Sequence, residues 1–76
     1  MVGTIYFNTP TWSFQAQKAL SGQGMRTGRV YKVANIGPGL GCGYAIDLHS
    51  GDMDAALRLL GAAGVRYVTY SVSANN

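Results

Sequence analysis

Cys42 is the only cysteine of this 76-residue chain, and it lies in Gly37-Pro38-Gly39-Leu40-Gly41-Cys42-Gly43, where glycine fills every second position. A thiol held for packing is normally surrounded by branched side chains, whereas one flanked by glycines has bare backbone N–H groups around it and little to shield it from a reactant. The chemistry open to such a group is nucleophilic or sulfur-carrying. The N–H groups of Gly39, Leu40, Gly41 and Gly43 are the donors that would support a thiolate or a persulfide, with Arg29 or Lys32 adding charge if the chain brings them close. Packing supplies the opposite reading, a small buried residue at the foot of a strand. The local residues leave the two open.

Other chemistry is constrained by spacing. His49 is the only imidazole, and seven residues of extended chain at about 3.3 Å each place it roughly 23 Å from Cys42, beyond the reach of a Cys/His couple. A polar position in the turn before a helix suits it better. Asp52 and Asp54 have a ready explanation as charges at a helix start, which leaves Asp47 without an acid/base partner. One His, one Cys and three Asp do not supply a closed zinc site, and a lone cysteine rules out an internal disulfide. The glycine run also lacks the Gly-Lys-Ser/Thr or G-x-G-x-x-G pattern opening a helix, because Cys42-Gly43 leads into a strand pattern. No metal and no cofactor is expected.

The elements that must position Cys42 follow from periodicity. Val2–Phe7 is short, β-branched and aromatic, and Asn8-Thr9-Pro10 ends it. Thr9 can cap a helix with Pro10 in its first turn, with Trp12, Ala16, Ala19 and Leu20 on its apolar side and Gly22 or Gly24 as its stop. Arg29–Val33 and Gly43–Leu48 read as strands on either side of the glycine run. Ser50 is a plausible N-cap for a second helix with Met53, Ala56, Leu57 and Leu60 as its stripe, ending at Gly61 or Gly64. Arg66–Val72 is the last strand, and residues 73–76 form a polar tail expected to fray.

The order is β-α-β-β-α-β. An offset of forty residues lays one half on the other, matching Gly3 with Gly43, Ala16 with Ala56, Leu20 with Leu60, Gly24 with Gly64 and Arg26 with Arg66. This pattern predicts a single α+β domain of the ferredoxin-like, split βαβ class: four antiparallel strands with two helices on one face.

Composition bounds the partners. Charged residues make up 12% of the chain, about half the roughly 25% of ordinary domains, so the surface is short of groups that keep a small monomer soluble. A domain this small has a marginal core, and with no disulfide or metal to reinforce it, a protein partner or a homo-oligomer is expected. The net charge of +3 is spread over six basic residues without a run, which places nucleic acid behind protein as a partner. The N-terminus shows no targeting pattern, and no stretch reaches the ~20 apolar residues of a membrane span. The expectation is a soluble cytoplasmic protein with a reduced thiol.

The opening strand, the helix carrying Ala16, Lys18, Leu20 and Gly24, and the stretch Gly41-Cys42-Gly43-Tyr44-Ala45-Ile46 followed by a second helix and strand resemble the small selenium/sulfur carrier-like domains. The resemblance spans nearly the whole chain, with Cys-Gly-x-Ala as its distinctive core. It implies a carrier in which Cys42 relays sulfur or selenium, as a persulfide or selenopersulfide, between donor and acceptor proteins. Members of that family place serines before the cysteine and a basic residue in the preceding loop, where this chain has Gly39-Leu40-Gly41 and no Lys or Arg between Val33 and Cys42. A non-catalytic accessory subunit of a larger enzyme complex is the alternative. An RNA-binding RRM-like module is the third, because Gly43-Tyr44-Ala45-Ile46 partly matches RNP1, although Cys42 stands where that motif has a basic residue and Asp47 adds an anion.

Overall fold

The computed structural model describes residues 1–73; apart from Ser73, the expected polar tail lies outside them. Six elements follow in order: β1 (Gly3–Phe7), α1 (Pro10–Gly22), β2 (Tyr31–Val33), β3 (Gly43–Leu48), α2 (Met53–Ala62) and β4 (Thr69–Val72). The strands form one sheet in the order β2-β3-β1-β4, with every neighbouring pair antiparallel. Each βαβ unit therefore brackets a strand of the other, as the split βαβ reading requires.

Sheet register decides which side chains meet the helices. Ile5 pairs with Ile46, Gly3 with Leu48 and Phe7 with Tyr44, so these residues share one face. Ile5, Phe7, Ile46 and Leu48 join Ala16 and Leu20 of α1 and Met53, Ala56 and Leu60 of α2 in the core. The opposite face, with Thr4, Tyr6, Ala45 and Asp47, has no helix over it among the described residues. The molecule is 19 Å across its short axis, about the thickness of one sheet and one helix layer.

Local chemistry sets the helix boundaries. The Thr9 hydroxyl accepts from the Trp12 N–H at 3.3 Å, and Pro10 occupies the first turn, where a missing N–H costs nothing. The buried side of α1 is Ser13, Ala16 and Leu20; Trp12 and Ala19 only flank the core. Ser13 is tolerated there because its hydroxyl donates to the Pro10 carbonyl at 2.7 Å. In α2 the cap is Asp52, whose carboxylate accepts from the Asp54 N–H at 3.1 Å. Ser50, the expected cap, instead accepts from the Arg26 N–H at 2.8 Å and ties the preceding turn to the segment after α1.

Both helices end in the same way. Met25 N–H reaches Leu20 O at 3.0 Å and Gly24 N–H reaches Ser21 O at 3.0 Å, while Val65 N–H reaches Leu60 O at 2.9 Å and Gly64 N–H reaches Gly61 O at 3.2 Å. These are paired Schellman motifs, with Gly24 (φ +82°) and Gly64 (φ +73°) in the left-handed region. A Cβ would meet nothing within 4 Å at either glycine, so only backbone conformation is at stake. Gly24→Ala and Gly64→Ala are each expected to lower the unfolding free energy by about 1 kcal/mol, measured as a lower urea midpoint at unchanged m-value.

The forty-residue offset holds in the helices but slips by one in the strands. Ile5 and Phe7 occupy the positions of Ile46 and Leu48, so Gly3 lies on the helix face and its match Gly43 on the open face. Two edges also begin later than periodicity predicts. Thr27 bridges Leu48 and Tyr31 pairs with Ala45, leaving three residues opposite two, a bulge that delays β2 from Arg29 to Tyr31. Val65 is spent closing the second Schellman motif, and β4 starts at Thr69 rather than Arg66.

Candidate functional site

Cys42 is exposed, at the end of the β2–β3 hairpin. Its loop is built rather than loose. Pro38 and Gly39 are the central pair of a turn closed by the Leu40 N–H on the Gly37 carbonyl at 3.0 Å, and Gly39 has φ +74°, the sign a type II turn needs at that position. The Asn35 carboxamide accepts from the Gly37 N–H at 3.1 Å. Below the turn, the Ile36 N–H donates to the Gly41 carbonyl at 2.8 Å, extending the hairpin to the residue before the cysteine.

Ile36 anchors this loop, and periodicity gave no sign of it. Its side chain is 6% exposed yet lies outside the main core cluster. It folds over Gly43, where a Cβ would come within 2.9 Å of Ile36 Cγ2. Gly43 is thus bare so that Ile36 can reach the sheet, and Cys42 is held between that contact and Gly41 (φ +73°). Among the proposed supporting groups, the Leu40 N–H is committed to the turn and Gly43 is paired with Val33 of β2, which leaves Gly39 and Gly41 on the loop before the thiol. Lys32 pairs with Tyr44, two residues from Cys42 along the neighbouring strand.

His49 lies at the opposite end of β3, exposed, with its backbone N–H on the Arg26 carbonyl at 2.8 Å. The strand therefore separates the chain's one thiol from its one imidazole. Among the described residues no three His, Cys, Asp or Glu side chains are grouped to hold a metal ion, and no helix is long and apolar enough to cross a membrane.

A second cluster lies on the open face. Asp47 accepts from the Thr4 hydroxyl and from the Tyr31 hydroxyl, each at 2.9 Å. The two donors approach from β1 and β2, on either side of β3, so one carboxylate ties three strands together. Alternation in β3 already places Asp47 opposite Ile46 and Leu48, but its donors come from strands remote in sequence. Burial, and then the hydrogen bond to and negative charge of Asp47, raise the Tyr31 pKa above 10.0. The raised pKa means that the linked stability is fully present below the ordinary tyrosine range and is lost as pH climbs through the higher folded value. Ultraviolet titration should show a tyrosine ionising above the ordinary value, its signal absent in Tyr31→Phe and lowered in Asp47→Asn.

Compared with known proteins, the chain matches no family model, no curated protein and no solved structure.

Proposed function

We propose that the protein is a sulfur carrier, with selenium as the related cargo, and that Cys42 holds the transferred atom. The observation that carries this reading is an exposed thiol on a hairpin ordered by its own turn and by Ile36. A carrier needs a thiol that two different proteins can reach, held by a scaffold that does not close over it. In the transfer step the Cys42 thiolate attacks the terminal sulfur of a donor persulfide. A new S–S bond forms, the donor's S–S bond breaks, the donor cysteine leaves as thiolate, and no external oxidant is required. Delivery is the same exchange with an acceptor thiolate attacking the persulfide of Cys42. The Gly39 and Gly41 N–H groups are the loop neighbours able to stabilise the anionic terminal sulfur, since Gly43 is paired with Val33 in the sheet. Donor and acceptor are proteins, and a reducing, cytoplasmic setting keeps the thiol free between cycles.

Incubation with a cysteine desulfurase and cysteine, followed by intact mass measurement, should show the gain of one sulfur atom, removable by reductant. Native Cys42 should also be alkylated nearly as fast as in the unfolded chain. A protein alkylated rapidly at Cys42 that gains neither sulfur from this donor nor selenium from a donor selenopersulfide, whose S–Se bond breaks as the new one forms, would sink the carrier reading. The accessory-subunit reading would then take its place, favoured by the uncharged run Tyr67–Ser73, on which Tyr67, Val68, Tyr70 and Val72 are exposed. RNA binding stands third, because Tyr44 shares the helix side with Ile46 and Leu48 while Asp47 occupies the open side.

A further inference from the structure

The two edges of the sheet differ. β2 is three residues long, follows a bulge and carries Lys32, the features that keep edge strands from pairing with other chains. β4 is also short, four residues, and begins at an irregularity where Val68 N–H bonds the Tyr6 carbonyl that Thr69 faces, but it lacks the charge: from Tyr67 to Ser73 there is no charged residue and no proline.

The backbone of β4 is also open in a defined way. Ser73 N–H donates to the Val2 carbonyl at 2.8 Å, and β4 pairs with β1 as Val72 with Gly3 and Tyr70 with Ile5. Bonding in an antiparallel ladder alternates, so Thr69, Ser71 and Ser73 spend their backbone groups on β1 while those of Tyr70 and Val72 point away from the sheet. The side chains of these two residues lie on the helix side but are 44% and 61% exposed. Tyr70 is already held edge-on against Tyr67, ring centroids 6.2 Å apart at 72°, which lowers the cost of ordering it in a contact.

We propose that β4 is a homodimer interface, at which β4 of a second copy adds antiparallel to the edge and continues the sheet across a two-fold axis at Ser71. The edge is complementary to itself in this register. Tyr70 exchanges both backbone bonds with Val72 of the second copy, and Val72 does the same with the copy's Tyr70. Each aromatic ring thereby meets a β-branched partner on the helix side, a favourable cross-strand pair. Ser71 faces its own counterpart on the open side. Two copies of a chain with net charge +3 meet through a neutral segment, without like charges opposed. The interface does not involve Cys42, so it stands or falls independently of the carrier reading.

The register makes a test by crosslinking specific. Ser71 and its counterpart form a non-hydrogen-bonded pair with Cα atoms about 4.5 Å apart, within the disulfide range of about 4.4–6.8 Å. Ser71→Cys in a Cys42→Ser background should form a covalent dimer on mild oxidation. Thr69→Cys in the same background should not, because the two copies of Thr69 would be about 13 Å apart along the strands. Sedimentation of the unmodified protein at micromolar concentration should give twice the 8.0 kDa chain mass, and Val72→Lys should abolish that species while leaving the circular dichroism spectrum unchanged. A monomeric unmodified protein, a dimer that survives Val72→Lys, or crosslinking through Thr69 in preference to Ser71 would each overturn the proposal.

Discussion

Cys42→Ser is expected to abolish sulfur loading completely, with the urea midpoint of the protein unchanged. The side chain is exposed, so replacing its sulfur with oxygen removes no core contact, and surface substitutions of this kind shift stability by no more than about 0.5 kcal/mol. A hydroxyl at neutral pH is a far weaker nucleophile than a thiolate and forms no persulfide. Intact mass after desulfurase treatment reads the loss of loading, and urea denaturation reads the unchanged fold. Residual loading in Cys42→Ser would mean that the sulfur had been attached elsewhere, contradicting the assignment of the site.

Gly43→Ala is expected to remove about 3 kcal/mol of stability, a large part of the roughly 4–11 kcal/mol available to a domain of this size. The new Cβ would press on the Phe7 carbonyl, part of the neighbouring strand's main chain, and lie 2.9 Å from Ile36 Cγ2. A side chain can move aside, but the Phe7 carbonyl belongs to the central strand of the sheet. Gly3→Ala tests the same physics on the other face, where the Cβ would meet the Ser71 carbonyl and come within 2.7 Å of Met53 Cε. The two variants should lose comparable stability in urea. They should differ at the thiol: displacing Ile36 frees the loop that holds Cys42, so Gly43→Ala should change the alkylation rate of the native protein and Gly3→Ala should not. Equal alkylation rates in both would remove Ile36 as the anchor of the hairpin.

The forty-residue offset was informative for a reason that also marks its limit. Helix stops depend on local conformation, and Gly24 and Gly64 close identical Schellman motifs because a left-handed residue favours glycine wherever it occurs. Strand faces depend on partners. The same offset that aligns the helices puts Gly3 and Gly43 on opposite sides of the sheet, because the β1–β3 register is chosen by packing Ile5 and Phe7 alongside Ile46 and Leu48. The exchange of Ser50 for Asp52 as the cap of α2 has a similar origin. Both can cap locally, and the Arg26 N–H, remote in sequence, claims Ser50.

The sequence by itself determined the order of elements, the ends of β3, the two helix stops and the presence of a lone thiol in a glycine-rich turn, all consequences of local periodicity and backbone preference. Only the tertiary structure decided that Cys42 is exposed, that Ile36 folds over Gly43 to hold its loop, that Asp47 joins three strands, and that β4 is an edge of the sheet whose outer backbone groups have no partner among the described residues. Each of these depends on contacts between segments far apart in the chain. Burial and pairing belong to such contacts, and residue type alone does not specify them.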